Sequence, residues 1–149
     1  MIKKYNLFKE SLLNKLKGPT EEDIWNLIKN CDPDSMLVKS CEIGYLQGVK
    51  KSLEMGADIN YDKSLSLYLA VQNNHIDIVK YLIENGVNLK GDNNDIIKNA
   101  LLSHTSEILK ILLNNVKHDI EVDKMIQLAD GLKDSEMVEI LKEYKNKNK

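Results

Sequence analysis

The chain has 149 residues, 42% of them hydrophobic, and 21 basic against 23 acidic residues give a net charge of −2. That composition fits one globular domain over 1–149 and excludes a disordered or fibrous chain. No apolar run approaches the roughly 18 residues of a membrane span, Met1 to Asn6 lack the apolar stretch of a secretory signal, and two cysteines, Cys31 and Cys41, suit a reducing, cytoplasmic setting.

The charge is uneven. Residues 1–18 carry five Lys against one Glu, a net +4, and residues 142–149 carry four Lys against one Glu, a net +3. The middle is left at −9, and all 21 basic residues are Lys. An acidic middle without arginine repels phosphates and lacks the guanidinium fork that reads them, so nucleic acid is not the expected partner. The lysine-rich ends read as solvating segments, with a contact to phosphate or an acidic partner as the minority reading.

In chain order, Tyr5, Phe8, Leu12 and Leu16 fall on one face of a first helix, which Gly18-Pro19 ends. Thr20-x-x-Asp23 resembles a capping box and opens a helix over 20–30 carrying Ile24, Trp25, Leu27 and Ile28. Together, 1–32 read as a capping pair. Trp25 is a core residue of that cap or an anchor for a partner. Asp32-Pro33 is an N-cap followed by proline at the first helical position.

From there a segment recurs every 30 residues. Val49-Lys50 returns as Val79-Lys80 and Leu109-Lys110, Leu37 as Leu67 and Ile97, and Ala70 as Ala100. Units of 33–62, 63–92 and 93–121 are followed by a closing unit of 122–143 and a flexible tail of 144–149. In the second unit the spacing predicts helices over Leu65–Gln72 and Ile76–Glu84, the latter with Ile76, Val79, Leu82 and Ile83 on one stripe. The turn positions Gly44, Asn74 and His104 are residues that tolerate positive φ. Gly56 and Gly86 are expected left-handed caps, and Val116 in the third unit must end its helix differently. Helices this short need stacked neighbours to bury their stripes. The expected core is Leu37, Val49, Leu53, Leu67, Ala70, Val79, Leu82, Ile97, Ala100, Leu109, Leu112, Ala129 and Ile140.

Gly44-Tyr45-Leu46-x-x-Val49-Lys50, Leu53-Glu54-x-Gly56-Ala57-Asp58-Ile59-Asn60 and the stretch Asn74 to Gly86 resemble the ankyrin repeat. The resemblance implies an all-α solenoid of about ten helices, stacked as helix-turn-helix hairpins. The family's Thr-Pro-Leu-His opening stands here as Ser35-Met36-Leu37-Val38, Leu65-Ser66-Leu67-Tyr68 and Asp95-Ile96-Ile97-Lys98. The repeat is three residues short of the family's, so the projecting loops should be stubby. Short, degenerate units rich in Lys, Asn and Ile resemble in style the ankyrin proteins of bacteriophages and large DNA viruses.

No motif for catalysis is found. Cys41 reads as a core cysteine and His75 as packed at the start of its helix, and the histidines His75, His104 and His118 lack metal-ligand spacing, so no metal or cofactor is expected. The resemblance implies a non-enzymatic module that blocks or tethers another protein; if viral, it would inhibit a host defence protein. By the family's binding positions the contacts would be Asp34, Glu42 and Ile43, then Asp62, Ser64, Gln72 and Asn73, then Asn94, Leu102 and Ser103. Tyr61 and Tyr68 join them as large side chains with polar tips. The acids of this strip favour a partly basic partner surface. The alternatives are a small-molecule or nucleotide sponge and a structural or assembly protein.

Overall fold

A computed structural model describes residues 20–89, 93–116 and 120–148. The helix expected on Tyr5, Phe8, Leu12 and Leu16, its Gly18-Pro19 stop, residues 90–92 and His118 lie outside them.

Nine helices and no strand occur among the described residues. The first, α1 (Glu21–Ile28), opens on the expected capping box: Asp23 N–H donates to Thr20 Oγ1 at 3.2 Å and Thr20 N–H to Asp23 Oδ2 at 3.0 Å. At α2 (Pro33–Ile43), Asp32 accepts from Ser35 N–H at 3.0 Å.

Four hairpins follow, pairing α2 with α3 (Leu46–Glu54), α4 (Tyr61–Gln72) with α5 (Ile76–Glu84), α6 (Asn93–Leu102) with α7 (Ser106–Asn115), and α8 (Val122–Gly131) with α9 (Ser135–Lys147). Gly44, Asn74 and His104 adopt φ of 80°, 58° and 51°, as their residue types imply. The fourth hairpin uses Lys133 at 59°, a residue type that gives no such signal. The next residues, Tyr45, His75, Thr105 and Asp134, share one extended entry into the second helix, with ψ from 76° to 87°. Gly56 and Gly86 take left-handed caps. Val116 instead ends α7 with φ −77° and ψ 121°, while Asn115 Nδ2 donates to Ile111 O at 2.8 Å.

The hairpins stack in two rows. First helices α2, α4, α6 and α8 pack in sequence, as do second helices α3, α5, α7 and α9. Leu37, Leu67 and Ile97 lie between the rows, fully buried, as do Leu82, Leu112 and Leu141. Burying each such side chain contributes about 1.5–3 kcal/mol, which short helices cannot gain alone. Ala70, Ala100 and Ala129 fill the narrow position common to their hairpins, also fully buried. Leu53 and Ile140 differ from the expectation: both are only partly buried, against the edge of the core. The last helix runs to Lys147, into the expected tail, because Tyr144 packs against the core and Lys145 pairs with Asp123.

The recurrent lysine joins consecutive hairpins. Lys50 Nζ stands 5.5 Å from the Tyr81 ring centroid, Lys80 Nζ 3.2 Å from Glu107 Oε1, and Lys110 Nζ 3.4 Å from Glu136 Oε1. The two ion pairs are exposed and each contributes well under about 1 kcal/mol; their effect is to bias neighbouring hairpins toward one register.

Candidate functional site

Between α4 and α6 runs a groove of about 530 Å³, lined by Asp62, Lys63, Leu65 and Tyr68 on one side and Asp95, Ile96, Lys98, Asn99 and Leu102 on the other. It exists because two first helices lie side by side while their larger outward residues project past the core. Tyr68 is 39% exposed and Leu102 51% exposed, although both sit on helices whose other faces are buried. Solvent contact of this kind disfavours the free state of apolar side chains and is relieved by a covering surface.

The floor is held by Asn99, only 5% exposed, whose Nδ2 donates to the Tyr68 carbonyl at 3.0 Å. A carbonyl can only accept, so this bond orients the amide and turns Oδ1 away from Tyr68. No hydrogen bond is made by that Oδ1 among the described residues. The charged groups among the described lining residues, Asp62, Asp95, Lys63 and Lys98, form no ion pair with one another.

One rim is irregular. Asp62, Lys63 and Ser64 all have left-handed backbones, with φ of 46°, 56° and 63°, so the right-handed part of α4 begins at Leu65, where the spacing predicts it. Three such residues in a row cost about 1–2 kcal/mol each. Asn60 offsets this: its Oδ1 accepts from Asn88 N–H at 2.6 Å and lies 3.4 Å from Ser64 Oγ, which is also 3.4 Å from the Asn88 carbonyl.

Of the residues expected to meet a partner, Asp62, Tyr68 and Leu102 come together in the groove. Tyr61, 44% exposed, stands beside it at the start of the left-handed turn. Gln72 and Asn73 are exposed at the far end of α4, where Asn73 Nδ2 donates to Leu69 O at 2.9 Å. Glu42, Ile43 and Ser103 are half-buried at the ends of α2 and α6. Asp34, Ser64 and Asn94, one repeat apart, are engaged inside the molecule. Asp34 Oδ1 accepts from Asp58 N–H at 2.7 Å, Ser64 is buried as above, and Asn94 Oδ1 accepts from Glu121 N–H at 3.0 Å. Each ties the start of a first helix to the loop that closes the same hairpin.

Sequence reasoning missed Lys63, Leu65, Asp95, Ile96, Lys98 and Asn99. The available signal was the fourth position of the degenerate opening, Val38, Tyr68 and Lys98, where the second and third units project large side chains in one register.

Elsewhere the chemistry is quiet. A second depression of about 420 Å³ at the hairpin turns is lined by Gly44, His75 and the Lys80–Glu107 pair. The His75 ring lies against Gly44, with Nε2 donating to the Glu42 carbonyl at 3.2 Å. Burial pushes the Cys41 thiol up to about 12, so it stays protonated. Among the described residues no three His, Cys, Asp or Glu side chains cluster for a metal ion, and no helix is long and apolar enough to cross a membrane.

A sequence model of the family described as ankyrin repeats (3 copies) matches residues 6–93 and, overlapping them, 37–126. No curated protein matches the chain. The matched stretches cover most of the chain, including both helices that form the groove and the turns that repeat beside it. The chain therefore belongs to the ankyrin-repeat family.

Proposed function

We propose that the protein binds another protein through the α4–α6 groove and the adjoining Tyr61, and blocks or tethers it. Ankyrin repeats are in general protein–protein interaction modules, and the family is in general non-enzymatic. The observation that carries the reading is the convergence of Tyr68 and Leu102, both left exposed, on one groove whose polar floor is already ordered by Asn99. An ordered floor and two apolar projections lower the entropy lost on docking. Asp62 and Asp95 favour a partly basic partner surface. A nucleotide is less well served, because two lysines interspersed with two acids give its phosphates no cationic cluster. Following the resemblance in style to viral ankyrin proteins, the proposed partner is a host protein, held stoichiometrically and without turnover.

The test is affinity purification of the tagged protein from candidate host cells, in parallel with Leu102→Asp and Tyr68→Ala. One stoichiometric protein retained by the wild type and lost from both variants supports the reading. Equal retention by both variants places binding on another face.

A further inference from the structure

Each wall of the groove opens on an acid and closes on a large exposed side chain, and this order specifies more than a binding face. Asp95 lies in the first turn of α6 and Leu102 at its last residue, with Ile96, Lys98 and Asn99 between them. Seven residues of helix span about 10 Å. On the opposite wall Asp62 and Lys63 stand before Leu65 and Tyr68, so each wall carries an acid at its start and a large exposed side chain, Tyr68 or Leu102, at its end.

Resting on the proposed function above, we infer that the groove takes an amphipathic helix of the partner, with a lysine or arginine at the acidic end and a leucine-like side chain seven residues away at the Leu102 end. A helix matches because its rise equals that of α6, and residues seven apart return to the same face. The basic side chain meets the carboxylates of Asp62 and Asp95, which have no ion-pair partner among the described residues, and lays its stem on Leu65 and Ile96. Asn99 Oδ1 supplies a fixed acceptor on the floor. Among the described residues two cations also line the groove. Lys63, next to Asp62 in the left-handed turn, offsets part of its charge, as Lys98 does for Asp95. Lys98, one turn beyond Asp95, faces the middle of the partner helix and selects an acidic or amide residue there.

The probe is a displayed library of helical peptides on an alanine-rich framework with randomised outward positions, selected on the immobilised full chain. The expected result is enrichment of Lys or Arg seven residues from Leu, Ile or Phe. Fluorescence anisotropy of an enriched peptide should then show binding at least tenfold weaker with Asp62→Asn/Asp95→Asn and abolished with Leu102→Asp. Met55→Ala, on the second-helix row, should leave it unchanged. Asparagine tolerates the left-handed backbone at position 62, and matching melting curves confirm that the variants fold. Enrichment of no peptide, enrichment of peptides without a basic residue, or equal binding by the double variant each overturns the inference. Loss with Leu102→Asp but not with the double variant leaves the groove as a binding surface without this preference. Insensitivity to both removes the groove itself.

Discussion

His104 Nδ1 lies 3.1 Å from Asp134 Oδ2, joining the left-handed turn of the third hairpin to the residue that starts the second helix of the fourth. Asp134 also accepts from Met137 N–H at 3.1 Å, so one carboxylate caps a helix and clasps the preceding hairpin. It occupies the place that the His75 ring takes against Gly44 two hairpins earlier.

The hydrogen bond from His104, followed by that from Met137 N–H, holds the Asp134 carboxyl below the usual carboxylate range. A depressed folded value means that the unfolded chain binds the proton more readily. The contribution is therefore complete above about pH 4 and is lost as the pH falls below it. Asp134→Asn should flatten the fall in stability below pH 4, read as urea midpoints measured across pH 2 to 7. An unchanged slope would remove the clasp from the acid response.

The two cysteines should separate by reactivity. Cys41 is fully buried with its thiol pushed up to about 12, whereas Cys31 is half exposed, with Lys39 Nζ 3.0 Å from its sulfur. A maleimide at neutral pH should label Cys31 in the native protein and label Cys41 only after denaturation. Mass spectrometry of the labelled peptides decides it, and rapid native labelling of Cys41 would contradict the packing between α2 and α4.

Two glycines separate backbone strain from crowding. Gly44 has φ +80°, and a Cβ there would sit 2.5 Å from the His75 ring; Gly56 has φ +93° and open space around it. Gly56→Ala should cost the left-handed penalty alone, about 1–2 kcal/mol. Gly44→Ala should cost more, because the imidazole is held by the Glu42 carbonyl and must move. Equal losses in thermal or chemical melts would mean that the ring yields freely.

Ser40 buries its hydroxyl with no hydrogen-bond partner among the described residues. Ser40→Ala should leave stability unchanged or raise it by about 1 kcal/mol, since it removes an unpaired polar atom for little loss of volume. A clear drop in the melting temperature would show that the hydroxyl is bonded in solution.

The hairpins were legible because short helices stripe their apolar residues and because left-handed turns select few residue types. Gly44, Asn74 and His104 could be placed from chemistry alone. Lys133 could not, since nothing in a lysine side chain favours positive φ; the turn is closed instead by Lys133 N–H on the Asp130 carbonyl at 2.9 Å and Asp134 N–H on the Ala129 carbonyl at 3.1 Å. The strip of contact residues was legible only in part. Tyr68 and Leu102 announce themselves as large side chains at outward positions. Asp34 and Asn94 carry equally polar side chains at equivalent positions, yet these are taken up by backbone N–H groups 24 and 27 residues away. Which polar groups are free is a property of loop paths, and those paths are not written in the helical period.

A stack of near-copies offers a partner several equivalent berths, each displaced by one hairpin. The left-handed run from Asp62 to Ser64 occurs once among the described residues. It makes the seam between α4 and α6 unlike its neighbours. A molecule shaped to that rim has a single place to sit, and the irregularity supplies the address that perfect repetition would erase.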